Sequence, residues 1–231
     1  IFPQLYLGDL ITLDDSKKQS IQRNVNEGIQ RLAQRQFSDG GFAYWPGNSY
    51  ADDWATSYVG HFYLEAEKKG YALPVNSKSN WISYQQKMAR QWKSNTRYNT
   101  DFAQAYRLYT LALAGQPDIA SMNRLRETQG ISTNTKFRLA AAYALAGQKE
   151  AAQKLIANLS LDEIAGYSYY GSYERNLAMV LETMMYSNGN KIKTHEYAIE
   201  LANKLGSSQW MSTQTTAYAL NAIASYVNVH K

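Results

Sequence analysis

Asp52 and Asp53 directly precede an apolar helical segment and are the first candidates for acid–base chemistry. Two adjacent carboxylates can divide the roles of proton donor and acceptor, as in a general acid–base pair. Two acids immediately before a helix are, however, typical of an N-cap residue and a first-turn partner of the helix dipole. We therefore interpret this pair as a helix start. Ser212, Thr213 and Gln214 are interpreted as a helix start in the same way.

Histidine and cysteine give little further chemistry. The chain has 0 cysteines and 3 histidines, His61, His195 and His230. The histidines share no spacing typical of metal ligands, so we predict no metal site and no cofactor. Without cysteine there is no disulfide and no thiol nucleophile. His61 lies within an apolar segment and is interpreted as a hydrogen-bonded core histidine.

The elements that must position these residues are helices of two kinds. One kind has apolar residues on one side only, as in 18–36, where Ile21, Val25 and Ile29 recur at helical spacing. The other kind is apolar almost all round, as in 53–67, and such a helix is buried on every side. The two kinds alternate along the chain. This alternation predicts an all-α fold of antiparallel hairpins, each with an outer and an inner helix.

The pairing predicts an α/α toroid of about six concentric hairpins in one domain, 1–231, with the first outer helix missing. The opening residues, Phe2 to Leu10, form the sixth inner helix. A repeat supports this arrangement, because Ala112–Gln116 recurs as Ala144–Gln148, 32 residues later, and each copy ends at a glycine C-cap. The five complete pairs are 18–36 with 53–67, 79–95 with 102–114, 119–127 with 137–146, 149–158 with 173–186, and 191–205 with 214–227.

Inner helices of a toroid run parallel, so the loops that enter them gather at one end, which we call the mouth. Aromatic side chains beside small polar groups on such loops suit a binding face. Converging helix N-termini favour an anionic or polarised carbonyl group there. The predicted mouth residues, with no catalytic residue among them, are Gln4, Trp45, Tyr50, Asp53, Trp54, Tyr98, Tyr169, Tyr170, Arg175, Trp210 and Gln214.

Charge and hydropathy limit the partners. A formal net charge of +5 on 231 residues is mild, and the basic residues are scattered rather than clustered. The densest basic stretch, 87–97, is interpreted as a solvated helix face, so nucleic acid is not an expected partner. The sequence has no signal peptide and no apolar run of about 18 residues, and we expect no insertion into a membrane. The start at Ile1, without methionine, is interpreted as that of a piece of a longer protein.

Several motifs occur in a fixed order along the chain. They are Asp39–Phe42 (DGGF), Met122–Leu125, Leu139–Gly147, Gly171–Arg175 (GSYER) and Trp210–Leu220 (WMSTQTTAYAL). In this order they resemble the thioester-containing helical domain of bacterial alpha-2-macroglobulins, protease-trapping relatives of complement, and the resemblance covers nearly the whole chain. In that family a Cys-x-Glu-Gln motif precedes a segment like Phe2–Leu7, so this chain would begin just after it. One departure is Asn176, where the family usually has Asp after the Arg.

The resemblance implies an endopeptidase inhibitor rather than an enzyme. In such proteins a Cys thiol and a Gln side chain form an internal thioester, which is exposed when a protease cuts a bait region and then acylates the attacker. Some relatives that prefer hydroxyl acceptors use a His in the loop after the Asp-Gly turn, and residues 44–53 contain none. The implied partners are attacking proteases and neighbouring domains of the same chain. The implied location is the cell envelope, in the periplasm or on the outer surface, with a lipid anchor in the parent protein.

Two other classes of function remain open on the sequence. An α/α-toroid enzyme, terpene cyclase-like or glycan-cleaving, has the same architecture, and Gln36 with Asp39–Phe42 resembles the Gln-and-aromatic repeats of the cyclases. Glycan cleavage needs two carboxylates that face a cavity, and Asp52-Asp53 is the candidate cluster. A carbohydrate- or peptide-binding module could use the aromatic mouth. Architecture alone does not separate these functions.

Overall fold

Helices account for nearly all the regular structure of the protein. The computed structural model describes residues 1–94, 100–164 and 171–230. Within these ranges there is no β-strand, only an isolated bridge between Gln36 and Phe42. The all-α prediction is confirmed. The α-helices are α1 Leu7–Leu10, α2 Asp15–Ala33, α3 Asp53–Lys68, α4 Ser77–Gln91, α5 Asp101–Leu113, α6 Ile119–Glu127, α7 Thr133–Leu145, α8 Lys149–Ile156, α9 Tyr173–Tyr186, α10 Lys191–Leu205 and α11 Thr213–Val229.

The first helix differs from its prediction. Residues Phe2–Leu10 were expected to form one inner α-helix, but Phe2–Tyr6 is a 3₁₀ helix that leads into the short α1. Pro3 lies in its first turn, where a missing N–H group is tolerated, and the amide of Gln4 bonds to the carbonyl of Ile1 at 3.0 Å, three residues back. A second 3₁₀ helix, Leu161–Ile164, was not predicted.

The contacts between helices form a closed ring. Helices α3, α5, α7, α9 and α11 each contact the next in this order, α11 contacts the N-terminal 3₁₀ helix, and that helix contacts α3. Helices α4, α6 and α10 each contact the two ring helices that flank them in sequence, α8 contacts α7, and α2 contacts α3 and the N-terminal 3₁₀ helix. The toroid itself remains a prediction, and this contact order is the one that it requires.

The first turns of the inner helices meet at one end of the ring. The carboxylate of Asp101, which begins α5, accepts hydrogen bonds from the amide of Ser132 at 2.9 Å and the hydroxyl of Thr135 at 2.7 Å, both at the start of α7. The hydroxyls of Ser172 and Thr215 join the starts of α9 and α11 at 3.1 Å. These contacts define the mouth in the structure.

Four of these helices begin with the same cap. The side chain of the N-cap residue accepts a hydrogen bond from the amide three residues later, which satisfies one of the free N–H groups of the first turn. Three of the caps, Ser132, Ser172 and Ser212, recur every 40 residues. The four capping residues and their amide donors are Asp52 with Ala55, Ser132 with Thr135, Ser172 with Arg175, and Ser212 with Thr215.

The repeated glycines end their helices as predicted. Gly115 has a φ of 73° and Gly147 a φ of 80°, a left-handed conformation that costs glycine little. After each glycine the amide of Gln116 or Gln148 reaches back to the carbonyl of Leu111 or Tyr143 at 2.9 Å. The glycine C-cap prediction is confirmed for α5 and α7.

The Asp39–Phe42 motif is a turn that ties α2, α3 and α4 together. Gly40 has a φ of 99°, and a β-carbon there would lie 2.1 Å from the carbonyl oxygen of Asn80 in α4. The side-chain Nε2 of Gln36 donates to the carbonyls of Gly40 at 3.1 Å and Ser77 at 2.9 Å. The backbone amide of Phe42 donates to the hydroxyl of Thr56 in α3 at 3.0 Å, so the turn also holds the start of α3 in place.

Candidate functional site

The rim of the mouth carries exposed aromatic side chains. Trp45 is 63% exposed, Tyr50 67% and Trp210 85%, on the loops that enter α3 and α11. The loop that bears Trp45 and Tyr50 is closed at its base, because the amide of Asp52 donates to the carbonyl of Phe42 at 2.9 Å. These three predicted residues thus lie on loops that lead into helix starts, and their role at the mouth remains a prediction. Tyr98, Tyr169 and Tyr170, also predicted there, lie outside the described residues.

The acidic pair at the start of α3 is engaged in structural contacts. Asp52 is the N-cap, and its carboxylate accepts from the amide of Ala55 at 2.7 Å. Asp53 pairs with the guanidinium of Arg107 on α5, whose side chain is 1% exposed. Arg107 also donates to the side-chain oxygens of Gln85 and Gln104 at 3.1 and 2.5 Å. The interpretation of Asp52 as a cap is confirmed, and Asp53 joins α3 to α5.

Trp54 and Arg175 form the floor of the mouth. Trp54 is 6% exposed, and its ring centre lies 5.5 Å from that of Phe102 on α5. The guanidinium of Arg175, on the opposite side of the ring of helices, lies 5.1 Å from the Trp54 ring and 5.3 Å from the Phe102 ring. Such contacts between a cation and aromatic faces are favourable. Burial lowers the pKa of Arg175 to about 10.

Asn176 takes the place of the acid that the sequence resemblance leads one to expect. Its side-chain oxygen accepts from Nε and Nη2 of Arg175 at 3.2 and 3.0 Å, and its nitrogen donates to the carbonyl of Ile164 at 2.7 Å. An aspartate could accept the first two bonds but could not donate the third. The amide of Asn176 therefore fits this position, because it both accepts from Arg175 and donates to Ile164.

The two predicted glutamines lie apart. Gln214, in the first turn of α11, is partly buried, and its side-chain oxygen has no hydrogen-bond partner. Gln4 accepts a 3.4 Å bond from Asn24 of α2 and lies in the wall of a cleft of about 1040 Å³. That cleft is also lined by Gly70, after the end of α3, and by Val227, in the last turn of α11. The structure thus places Gln4 beside the cleft at the other end of the ring.

Polar side chains lie along the axis of the ring of helices, below the floor of the mouth. The sequence patterns did not indicate them. Arg138 on α7 and Glu182 on α9 form an ion pair at 2.9 Å, with side chains 0% and 1% exposed. Glu182 also accepts from Asn221 of α11 at 2.9 Å. Burial is the largest single influence on the pKa of Arg138 and lowers it, but the carboxylate of Glu182 and the surrounding tyrosines together raise the pKa of the guanidinium. Burial raises the pKa of Glu182.

Tyrosines and a histidine surround this ion pair. The guanidinium of Arg138 lies 4.1 Å from the ring centre of Tyr109. His61, fully buried, has its Nδ1 3.1 Å from the hydroxyl of Tyr106. Burial lowers the pKa of His61 well below its ordinary value, and the charges of Arg138 and Lys68 add to this effect. The prediction of a hydrogen-bonded core histidine is confirmed.

In 1–94, 100–164 and 171–230, no three His, Asp or Glu side chains are grouped as ligands of a metal ion. None of the helices in the same ranges is long and apolar enough to cross a membrane.

Comparison with known sequences gives two bacterial relatives, and no family model matches the chain. The chain is 24% identical over 234 residues to alpha-2-macroglobulin of Escherichia coli, an alignment that covers 93% of this chain and 14% of the relative. It is 25% identical over 173 residues to alpha-2-macroglobulin of Rickettsia conorii, covering 70% of this chain and 9% of the relative. The chain thus spans a small part of each relative.

Solved structures show the same fold. Salmonella alpha-2-macroglobulin reacted with methylamine matches 97% of this chain and 16% of its own, with a TM-score of 0.78 at 25% identity. A part of the E. coli protein, from domain MG7 to the C-terminus, matches 96% of this chain and 38% of its own, with a TM-score of 0.79 at 23% identity. The resemblance to bacterial alpha-2-macroglobulins is confirmed.

Proposed function

We propose, from this similarity to bacterial alpha-2-macroglobulins, that the chain is the helical thioester domain of a protease-trapping inhibitor. The observation that carries the proposal is the match over almost the whole chain both in sequence, 93%, and in fold, 97%. A protein related in one motif alone would match over a shorter range. The chain would then be one domain of a longer multidomain protein.

The mouth supports this proposal because it suits an acyl group. Side chains of the first turns of α3, α5 and α9 contact one another there, and hydrogen bonds join the starts of α5 and α7 and of α9 and α11. Free N–H groups and dipoles of helix starts favour negative charge on a carbonyl oxygen. In the reaction that the resemblance implies, an amine nitrogen attacks the thioester carbon and the carbon–sulfur bond breaks. Sulfur leaves as a thiolate, the nitrogen loses a proton, and an amide forms. This chain has no cysteine, so by itself it cannot carry out the reaction.

The placement of the histidines supports direct attack by amines. An imidazole near the thioester could form an acyl intermediate and pass the acyl group to a hydroxyl. Residues 44–53 contain no histidine. His61 is fully buried and lies roughly 12 Å along α3 from the mouth. His195 contacts Tyr226 near the end of α11, at 2.7 Å. Lysine side chains of the attacking protease are therefore the proposed acceptors.

A chimera tests the function of this chain. Residues 1–231 would replace the equivalent part of E. coli alpha-2-macroglobulin, with the host's own upstream segment retained. We expect the chimera to release a thiol with methylamine and to capture trypsin covalently, and a host Cys→Ala chimera to do neither. A chimera that is folded by circular dichroism, yet releases no thiol and captures no protease, would contradict the proposal.

Two measurements test reactivity: that of the isolated chain toward methylamine, and the preference of the activated chimera for an amine or a hydroxyl acceptor. Intact mass of the isolated chain should not change with methylamine, and a stoichiometric gain would reveal another reactive group. In the activated chimera, labelled methylamine should be incorporated in preference to labelled glycerol at equal concentration. Preferential glycerol capture would show that a histidine supplied from elsewhere acts at the mouth.

The location and neighbours of the parent protein follow from the same proposal. A protease trap acts where foreign proteases arrive, so we propose the cell envelope and contacts of the mouth with neighbouring domains. Fractionation of the source cells, with an antibody against this domain, would test the location. Recovery of the domain in the cytosolic fraction would contradict it.

A further inference from the structure

A cleft lies between the end of α8 and the start of α10. Helices α4, α6 and α10 each pack against both ring helices that flank them, whereas α8, with 8 residues, packs against α7. A hydrogen bond from Nε2 of Gln153 to the carbonyl of Ser187, at 2.7 Å, joins α8 to the end of α9. Beside this short helix the cleft has a volume of about 350 Å³. Pockets that bind small molecules typically have volumes of about 300–1,000 Å³.

The interior of this cleft is apolar. Phe137 of α7 and Met184 of α9 line it and are 5% and 9% exposed. Ile156, Leu159 and Tyr197 line it as well and are partly buried. Burial of apolar surface contributes roughly 25 cal/mol per Å². The cleft therefore favours a ligand with an apolar body.

The exposed edge of the cleft is positively charged. Lys193, in the first turn of α10, lines the cleft and has an exposed side chain. None of the ion pairs formed within residues 1–94, 100–164 and 171–230 includes Lys193. None of the described residues that line the cleft is Asp or Glu. The ligand that matches both the interior and the edge has an apolar body and one anionic end.

We propose that this cleft binds a medium-chain fatty acid anion such as octanoate or decanoate. The carboxylate pairs with the ammonium of Lys193, and the hydrocarbon chain packs against Phe137, Ile156 and Met184. The site is separate from the mouth and independent of the thioester chemistry. Its role is to fill the space beside the short helix α8 and so to join α8 to α10.

Methionine methyl NMR spectra test the site directly, because Met184 lines the cleft. In a chain with ¹³C-labelled methionine methyl groups, decanoate should shift the resonance of Met184, assigned with Met184→Leu, and the shift should saturate. Decanol, which has the same chain without the charge, should bind more weakly. Octanoate should bind more tightly than hexanoate, by up to about fourfold for each added methylene. No saturable shift at Met184, or equal affinity for decanoate and decanol, would overturn the proposal.

Two pairs of variants test the two ends of the ligand. Lys193→Gln should weaken decanoate binding about two- to fivefold, as expected for an exposed ion pair, and leave decanol binding unchanged. Lys191→Gln, at an exposed lysine outside the lining, is the matched control and should change neither. Ala157→Trp fills the cleft and should abolish binding of both ligands, whereas Asn158→Trp, outside the lining, should not. Equal effects within either pair, in variants folded by circular dichroism, would contradict the site.

A peptide with a free C-terminal leucine also has an apolar group beside a carboxylate. The same titration with N-acetyl-Gly-Gly-Leu compares this ligand with decanoate. The peptide should bind more weakly, because its apolar group is shorter. Tighter binding of the peptide, with displacement of decanoate, would identify the ligand as a protein C-terminus and would overturn the proposal.

Discussion

The mouth and the axis of this protein are both polar, but they are held together in opposite ways. At the mouth, four of the five inner helix starts satisfy part of their own backbone through a local cap such as Ser172, and aromatic residues such as Trp210 extend into solvent. In the axis, polar groups such as Arg138 and Glu182 are satisfied only by partners on other helices. A polar residue with a local partner can therefore be substituted with little effect on the fold. A polar residue in the axis has to be substituted together with its partner on the other helix. The comparison predicts which substitutions the fold tolerates.

The largest expected effect is at the axial ion pair. Arg138→Met leaves Glu182 as a buried charge without its partner, and should lower the free energy of unfolding by about 3–5 kcal/mol. The double variant Arg138→Met with Glu182→Leu should recover much of that loss, because both charges are gone. Urea denaturation measures all three. The exposed pair Arg31–Glu27, at 3.6 Å, is the control, and Arg31→Met should cost about 0.5 kcal/mol or less. A similar cost at both pairs would remove the contrast between axis and surface.

The next largest expected effect is the pH dependence that His61 gives to the free energy of unfolding. Its pKa is lowered in the folded state by burial, so the unfolded state takes up a proton that the folded state does not. Stability should therefore be full above about pH 6.5 and fall as the pH decreases below it, by about 1.4 kcal/mol per pH unit. The measurement is urea denaturation between pH 7.5 and 5.

The contribution of His61 has to be separated from that of Glu182, whose raised pKa acts in the opposite direction. Variant His61→Gln keeps a polar group beside Tyr106 but does not titrate, so the difference from the native chain isolates the histidine. His195→Gln, at an exposed position, is measured as the matched substitution. A His61→Gln protein with the native slope would show that His61 is not the titrating group.

Removal of a helix cap at the mouth should destabilise the fold less than loss of the axial ion pair. Ser172→Ala removes the acceptor of the Arg175 amide and the contact with Thr215, and should destabilise the fold by about 1 kcal/mol. Ser172→Asp keeps a capping acceptor and should restore most of the loss. Thermal or urea unfolding gives both values. No loss in Ser172→Ala would mean that water caps α9 equally well.

The smallest effect is expected at the rim. Trp210→Ala and Trp45→Ala should change the free energy of unfolding by less than about 0.5 kcal/mol, because these side chains are mostly in solvent. In the chimera, the same variants should alter protease capture if the rim contacts neighbouring domains. A loss of more than about 2 kcal/mol would show that the rim is packed in the fold, contrary to the comparison.

The difference between the two regions also explains what the sequence could predict. Helix starts and ends depend on local chemistry, so Asp52 as a cap and Gly115 as a C-terminal glycine could be identified from a few residues. The inner helices were recognised because most of their residues are apolar. That pattern concealed Arg138 and Glu182, which are isolated charges in apolar helices and gain their meaning only when α7 and α9 pack together.

The predicted site residues differ in how far the sequence could predict their placement, and the reason is the same. Trp45, Tyr50 and Trp210 were placed at the mouth because of the loops that carry them. Trp54 and Asp53 are in the same first turn, yet one packs into the floor and the other pairs with Arg107. Which way a side chain turns depends on the neighbouring helix, and no spacing in the sequence specifies it.

The closed order of helix contacts has a consequence for how the chain folds. Neighbouring ring helices are close in sequence, so each hairpin can form early from local contacts. The last junction, between the N-terminal 3₁₀ helix and α11, joins segments more than 200 residues apart. Closing so long a loop costs entropy that no local contact offsets. We therefore expect this seam to close late in folding and to open first in native-state hydrogen exchange, with the amides around Phe2 exchanging before those of α7.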